Sequence, residues 1–72
     1  MLSQTELNGV VAEILEVPES EVADDSDLEE LGWDSLSNMT FISIADERYG
    51  ARIDVEGLAA SETPADLLRL FG

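Results

Sequence analysis

The sequence predicts a small all-α domain: a four-helix bundle of three main helices and one short one, with a long connection between the first two. Three observations predict it. Apolar residues recur at helical spacing, capping residues stand at the starts of those segments, and no stretch alternates with period two for long enough to make a strand.

The first helix is signalled by an S-x-x-E box, with Ser3 as N-cap and Glu6 at N3. Leu2 and Leu7 then occupy the two positions of a hydrophobic staple. Leu7, Val10, Val11, Ile14 and Leu15 form one buried stripe. Gly9 is a mild cost inside this helix. Val17-Pro18 ends it, because proline disfavours helical geometry at the residue before it.

Residues 18–34 read as a long acidic connection, anchored by Val22, Leu28 and Leu31. A loop of that length in so small a domain is functional or carries short turns of its own. Asp27, with Glu30 three residues later, begins one such turn. The second main helix runs from about Ser35 to Tyr49, with Asp34 as N-cap. Phe41, Ile42, Ala45 and Tyr49 form its core stripe, with Asn38 at the edge, and Gly50 is its left-handed stop. Asp54 caps a short helix over VEGLAA. Thr63 as N-cap, Pro64 at N1 and Asp66 at N3 open the last helix, whose apolar side is Leu67, Leu68, Leu70 and Phe71.

Composition narrows the function. The chain has 72 residues, enough for one domain over 1–72. A chain so short buries only about 60% of its unfolded surface, too little to wall a deep cleft. It has no cysteine and no histidine, which excludes disulfides, thiolate zinc sites and Ser-His or Cys-His catalysis. With 17 acidic residues against 3 basic ones its net charge is −14. Such a chain repels nucleic acid and anionic membrane and is steered towards basic protein surfaces. No apolar run is long enough to span a bilayer, and the first residues carry neither a basic nor a long apolar segment. The expected setting is therefore soluble and cytoplasmic, and the expected state a monomer without enzymatic activity of its own.

The richest cluster is Leu31-Gly32-Trp33-Asp34-Ser35-Leu36. It places Ser35 on the first turn of a helix, just after a loop glycine. A hydroxyl there is reachable, and the unpaired amides of a helix start favour a phosphate ester. Taken alone, Asp34 and Ser35 are better read as only capping residues. Met39 lies on the same side as Ser35, with Leu36 at the edge. These two apolar residues make either a docking patch or a surface covered by the acidic connection. An EF-hand reading fails, since position 6 from Asp25 is Glu30 and position 12 is Leu36. A G-x-S-x-G elbow fails too, since Trp33 and Ser37 flank Ser35 where glycines are required.

L-G-W-D-S-L resembles the L-G-x-D-S-L attachment motif of the acyl and peptidyl carrier protein family. The resemblance extends over nearly the whole chain. It takes in D-x-x-L-x-x-L-G at Asp25 to Gly32 and a stretch at Asp46 to Ile53 similar to E-x-x-Y-G-x-x-I. A T-x-x-D-L segment follows at Thr63 to Leu67. It implies a bundle of the acyl-carrier type with a covalent 4′-phosphopantetheine on Ser35, supported by Asp34 and Leu36. A phosphopantetheinyl transferase supplies the arm from coenzyme A. Acyl, aminoacyl or peptidyl cargo then rides on it as a thioester and is presented to loading and processing enzymes with basic docking surfaces. Trp33, Leu36 and Met39 are the expected docking residues. Trp33 is bulky for its place in the motif, and it either covers the arm, touches a partner or packs on the loop.

There are departures from the family pattern. Many fatty-acid carriers place carboxylates early in the helix after the serine, whereas Ser37, Asn38, Thr40 and Ser43 are uncharged. That favours a dedicated polyketide, nonribosomal peptide or other acyl-transfer pathway over housekeeping fatty-acid synthesis. The chain opens on Met1 without a linker, which reads as a free-standing carrier. The competing reading is an unmodified carrier-like fold used as an acidic adaptor.

Overall fold

A computed structural model describes residues 2–71, and all regular structure among them is helical. Helix α1 spans Gln4–Leu15, α2 Leu28–Leu31, α3 Ser35–Tyr49, α4 Val55–Ala60 and α5 Pro64–Arg69, with one 3-10 turn at Glu19–Glu21. The expected all-α bundle is thus present. The long connection holds a full helical turn, α2, so there are five α segments where the sequence suggested four.

Local chemistry sets most of the boundaries. Ser3 Oγ accepts from the Glu6 amide at 3.1 Å, the forward half of the expected box. Asp34, Asp54 and Thr63 each cap the helix that follows them. At α5 the box is reciprocal: the Asp66 amide donates to Thr63 Oγ1, and the Asp66 carboxylate accepts from the Thr63 amide. Asp66 also accepts from the Glu62 amide, which holds its carboxyl below the usual range, with Arg69 beside it. Helix α3 ends at Gly50, whose φ of 61° is left-handed.

One end differs from the expectation. Helix α1 stops at Leu15, before the Val17-Pro18 pair, because Glu16 turns left-handed at φ 57°. The Val17 amide then folds back onto the Ala12 carbonyl at 3.0 Å, satisfying a helix-end acceptor.

The core gathers one face from each segment. Leu7, Val10, Val11 and Ala12 of α1 meet Phe41 and Ala45 of α3, with Leu58, Leu67 and Ile53 closing the rest. Helix α1 packs chiefly on α3, α5 and the 3-10 turn. On α3 the buried line is Ser37, Phe41 and Ala45; Ile42 is half-buried and Tyr49 exposed. The helix is therefore rotated from the expected stripe, so that Ser37 rather than Asn38 faces inwards. The four aromatic residues form one edge-to-face series, Trp33–Phe41–Phe71–Tyr49, with ring centres 5.7–5.9 Å apart.

The acidic connection is pinned to the body. Val22 and Leu28 are buried and Leu31 packs against the core. The Leu28 amide donates to the Glu62 carbonyl at 2.9 Å, and the Ala65 amide to the Asp24 carbonyl at 3.0 Å. Asn8 Nδ2 donates to Asp24 Oδ1 at 2.8 Å. These bonds tie the connection to α1 and to the α4–α5 junction, which fixes the approach to α3.

Candidate functional site

The approach to Ser35 starts at the end of α2. Gly32 takes φ 99°, a conformation that costs a side-chain-bearing residue energy, and reverses the chain there. The Trp33 amide donates to the Leu28 carbonyl at 2.9 Å, which closes that reversal. Asp34 follows in extended geometry and Ser35 is the first residue of α3.

Asp34 acts as the cap that the sequence predicts. Its Oδ1 accepts from the Ser37 amide at 3.0 Å and from the Ser37 hydroxyl at 3.1 Å. The amide of Ser37 and then its hydroxyl hold the Asp34 carboxyl below the usual range. Ser37 is buried, so this pairing locks the first turn from the inside. The Asn38 amide closes the first helical bond on the Asp34 carbonyl at 3.0 Å.

Ser35 itself is exposed. Beside it Leu36 is 70% and Met39 66% exposed, so the apolar patch is open and not covered by the acidic connection. Leu36 therefore stands in water and not against the core. Thr40 Oγ1 donates to the Leu36 carbonyl at 3.0 Å, which turns its polar group back onto the helix. No acidic residue stands in the first turn of α3.

Trp33 is half-buried and packed edge-on against Phe41. Its indole N–H donates to Asn38 Oδ1 at 2.5 Å. The ring thus seats against α3, with only part of its surface outside. Two roles escaped sequence reading. Ser37 was noted there for its missing charge, yet it is the buried partner of Asp34. The Asp-x-x-Ser spacing at a helix start could have shown it. Asn38 as the indole acceptor had no signal, since a contact five residues apart across a helix start follows no repeating pattern.

The arrangement fits a phosphodiester-linked group. An accessible hydroxyl lies at the positive pole of a 15-residue helix, with the neighbouring carboxylate already held by Ser37. The family profile described as phosphopantetheine attachment site matches residues 5–71. The chain belongs to that family. Comparison with curated proteins yields no match. As a phosphopantetheine-attachment domain the chain is a carrier, with 4′-phosphopantetheine as its covalent cofactor. Domains of this family are in general non-catalytic and work with a phosphopantetheinyl transferase and with acyl-processing enzymes. No helix among the described residues is long and apolar enough to cross a membrane.

Proposed function

We propose that residues 1–72 act as one monomeric carrier domain with Ser35 as the attachment point, serving a specialised acyl, polyketide or peptidyl pathway in the cytoplasm. The observation that carries this reading is the exposed Ser35 hydroxyl on the first residue of α3, inside L-G-W-D-S-L. Ser35 Oγ forms a bond to the phosphorus that bears the pantetheine arm of coenzyme A. The pyrophosphate linkage breaks, adenosine 3′,5′-bisphosphate leaves with the bonding electrons, and the hydroxyl proton passes to a base of the transferase. The attached group supplies a terminal thiol that carries cargo as a thioester. Asp34 and Ser37 hold the first turn of α3 in place, with Ser35 as its first residue.

Leu36 and Met39 form the centre of the docking face. The acids of residues 19–30 lie in the connection that precedes that face, and they are exposed. This pattern suits partners with an apolar pocket bordered by lysine or arginine, and weak, fast, charge-steered encounters. The neutral first turns of α3 support a dedicated pathway over housekeeping fatty-acid synthesis.

The test is intact mass after incubation with coenzyme A, magnesium and a broad-specificity phosphopantetheinyl transferase, with Ser35→Ala in parallel. The expected result is the gain of one phosphopantetheine by the wild type alone. No gain by wild type, in an assay that loads a control carrier, would turn the reading to the acidic adaptor. A gain by Ser35→Ala would place the attachment elsewhere.

A further inference from the structure

The chain has a single tryptophan, and it stands two residues before the attachment serine. It is held at three points. Its backbone amide is bonded to the Leu28 carbonyl of α2. Its indole N–H is bonded to Asn38 Oδ1 of α3. Its ring leans on Phe41, which has no exposed surface and belongs to the centre of the core. Asn38 is held in turn, since its own amide closes onto the Asp34 carbonyl.

These contacts make a closed bracket. One arm is the backbone from Trp33 through Asp34 and Ser35 to Asn38, and the other is the side-chain bond from Trp33 to Asn38. Ser35 sits in the span between them. The backbone bonds at Gly32 and the Asp34 cap fix the main chain on either side of Ser35. The bracket adds a side-chain tie between the loop residue and the helix it feeds.

We propose that Trp33 and Asn38 are positioning residues for modification of Ser35: their bond sets the pose in which the hydroxyl reaches the transferase. Neither residue touches the reacting atoms. The proposal rests on the carrier reading of Ser35. It also assigns the bulky residue in the motif a definite task, distinct from docking, which falls to Leu36 and Met39.

The test uses Trp33→Phe, which keeps a ring against Phe41 and removes the N–H, and Asn38→Ala, which removes the acceptor. Asn38→Asp keeps an acceptor oxygen at the same reach and serves as the rescue. Two readouts are taken on the full chain: hydrogen exchange of the indole N–H, and transferase kinetics with carrier concentration varied at saturating coenzyme A. The indole proton is expected to exchange slowly in wild type and Asn38→Asp and quickly in Asn38→Ala. A small misplacement of a reacting group lowers turnover steeply, so kcat is expected to fall about tenfold in Trp33→Phe and Asn38→Ala with KM little changed. Asn38→Asp is expected to retain most of the wild-type rate.

Fast indole exchange in the wild type overturns the bracket. So does a KM effect without a kcat effect, which marks a docking contact. Wild-type kcat in both Trp33→Phe and Asn38→Ala overturns it as well. If Asn38→Ala is unfolded at the assay temperature, Trp33→Phe decides. Wild type left unloaded by a transferase that loads a control carrier overturns the carrier reading and the bracket with it. Loading of wild type and both variants at one rate overturns the bracket alone.

Discussion

Replacing Gly9 by alanine is expected to stabilise the fold, although a Cβ at that position meets another atom closely. Gly9 lies in the middle of α1, where glycine costs about 1 kcal/mol relative to alanine. An added Cβ comes within 2.8 Å of Glu19 Oε1, 3.4 Å of its Cδ and 4.0 Å of its Cγ. Only the carboxylate tip is too close, and Glu19 is exposed, so the tip turns into water. A modest rotamer adjustment costs about 0.5 kcal/mol, which leaves a net gain of about 0.5 kcal/mol. For a domain of this size that raises Tm by about 2–4 °C. Gly57→Ala is the contrast. Its Cβ would lie 2.8 Å from Leu70 Cδ2 and 3.2 Å from Asp54 Oδ2. Leu70 is packed against the core, and Asp54 Oδ2 is the cap that accepts from the Gly57 amide at 3.1 Å. Neither can yield without loss, so the same exchange lowers stability there. Thermal and urea unfolding followed by circular dichroism at neutral pH measures both. A lower Tm for Gly9→Ala, or a higher one for Gly57→Ala, would refute the reasoning from neighbouring atoms.

Three further outcomes follow from the same structure. Glu13 is held below its usual range by the Arg48 guanidinium, Asp34 by Ser37 and Asp66 by the Glu62 amide. A depressed carboxyl binds fewer protons in the folded state, so its contribution is present above the unfolded values of 4.5 for Glu13 and 3.8 for the two aspartates and lost as pH falls through the folded ones. In high salt, where repulsion among the acids is screened, the urea midpoint is therefore expected to be lower at pH 3 than at pH 6, and an equal or higher midpoint at pH 3 would contradict that. Added salt or magnesium is expected to raise Tm. The pairs Glu13–Arg48 and Asp66–Arg69 are exposed and weak, while a net charge of −14 repels itself throughout, so screening removes more repulsion than attraction. A Tm that is flat or falls from low to moderate salt would count against it. Leu36→Asp and Met39→Asp are expected to leave Tm unchanged, since both side chains are exposed, and to raise KM for partner enzymes; an unchanged KM in steady-state assays removes them from the docking face.

What the sequence made legible is what local chemistry decides. Asp34, Asp54, Thr63 and Gly50 act within a few residues of themselves, and each bounds its helix where the spacing placed it. The acidic connection was less legible, because backbone groups far apart in the chain hold it. Leu28 pairs with Glu62 and Asp24 with Ala65 through amides and carbonyls that every residue carries, so no side-chain pattern announces them. The rotation of α3 was hidden for a related reason. Asn38 and Ser37 are both small and polar, and only the partners Trp33 and Asp34 decide which of them faces inwards.

The site was legible where its chemistry is local and opaque where it depends on packing. The attachment point we propose needs a reachable hydroxyl at the start of a helix, and L-G-W-D-S-L places Ser35 there within six residues. The surface around it is a matter of what stays outside. Leu36 and Met39 are large apolar side chains left in water in a domain too small to forgo burial lightly. Burying them would have strengthened a thin core, and rotating α3 to do so would have carried Ser35 inwards with them. The fold instead seats Ser37, Phe41 and Ala45 on the inner face and keeps the serine and its apolar neighbours on the outer one. A half-buried tryptophan bridges the two faces at Phe41 and Asn38. The exposed patch and the reachable hydroxyl are thus two results of one helix orientation. A substitution that turns α3, such as an apolar residue at Ser37, is therefore a change to the site as much as to the core.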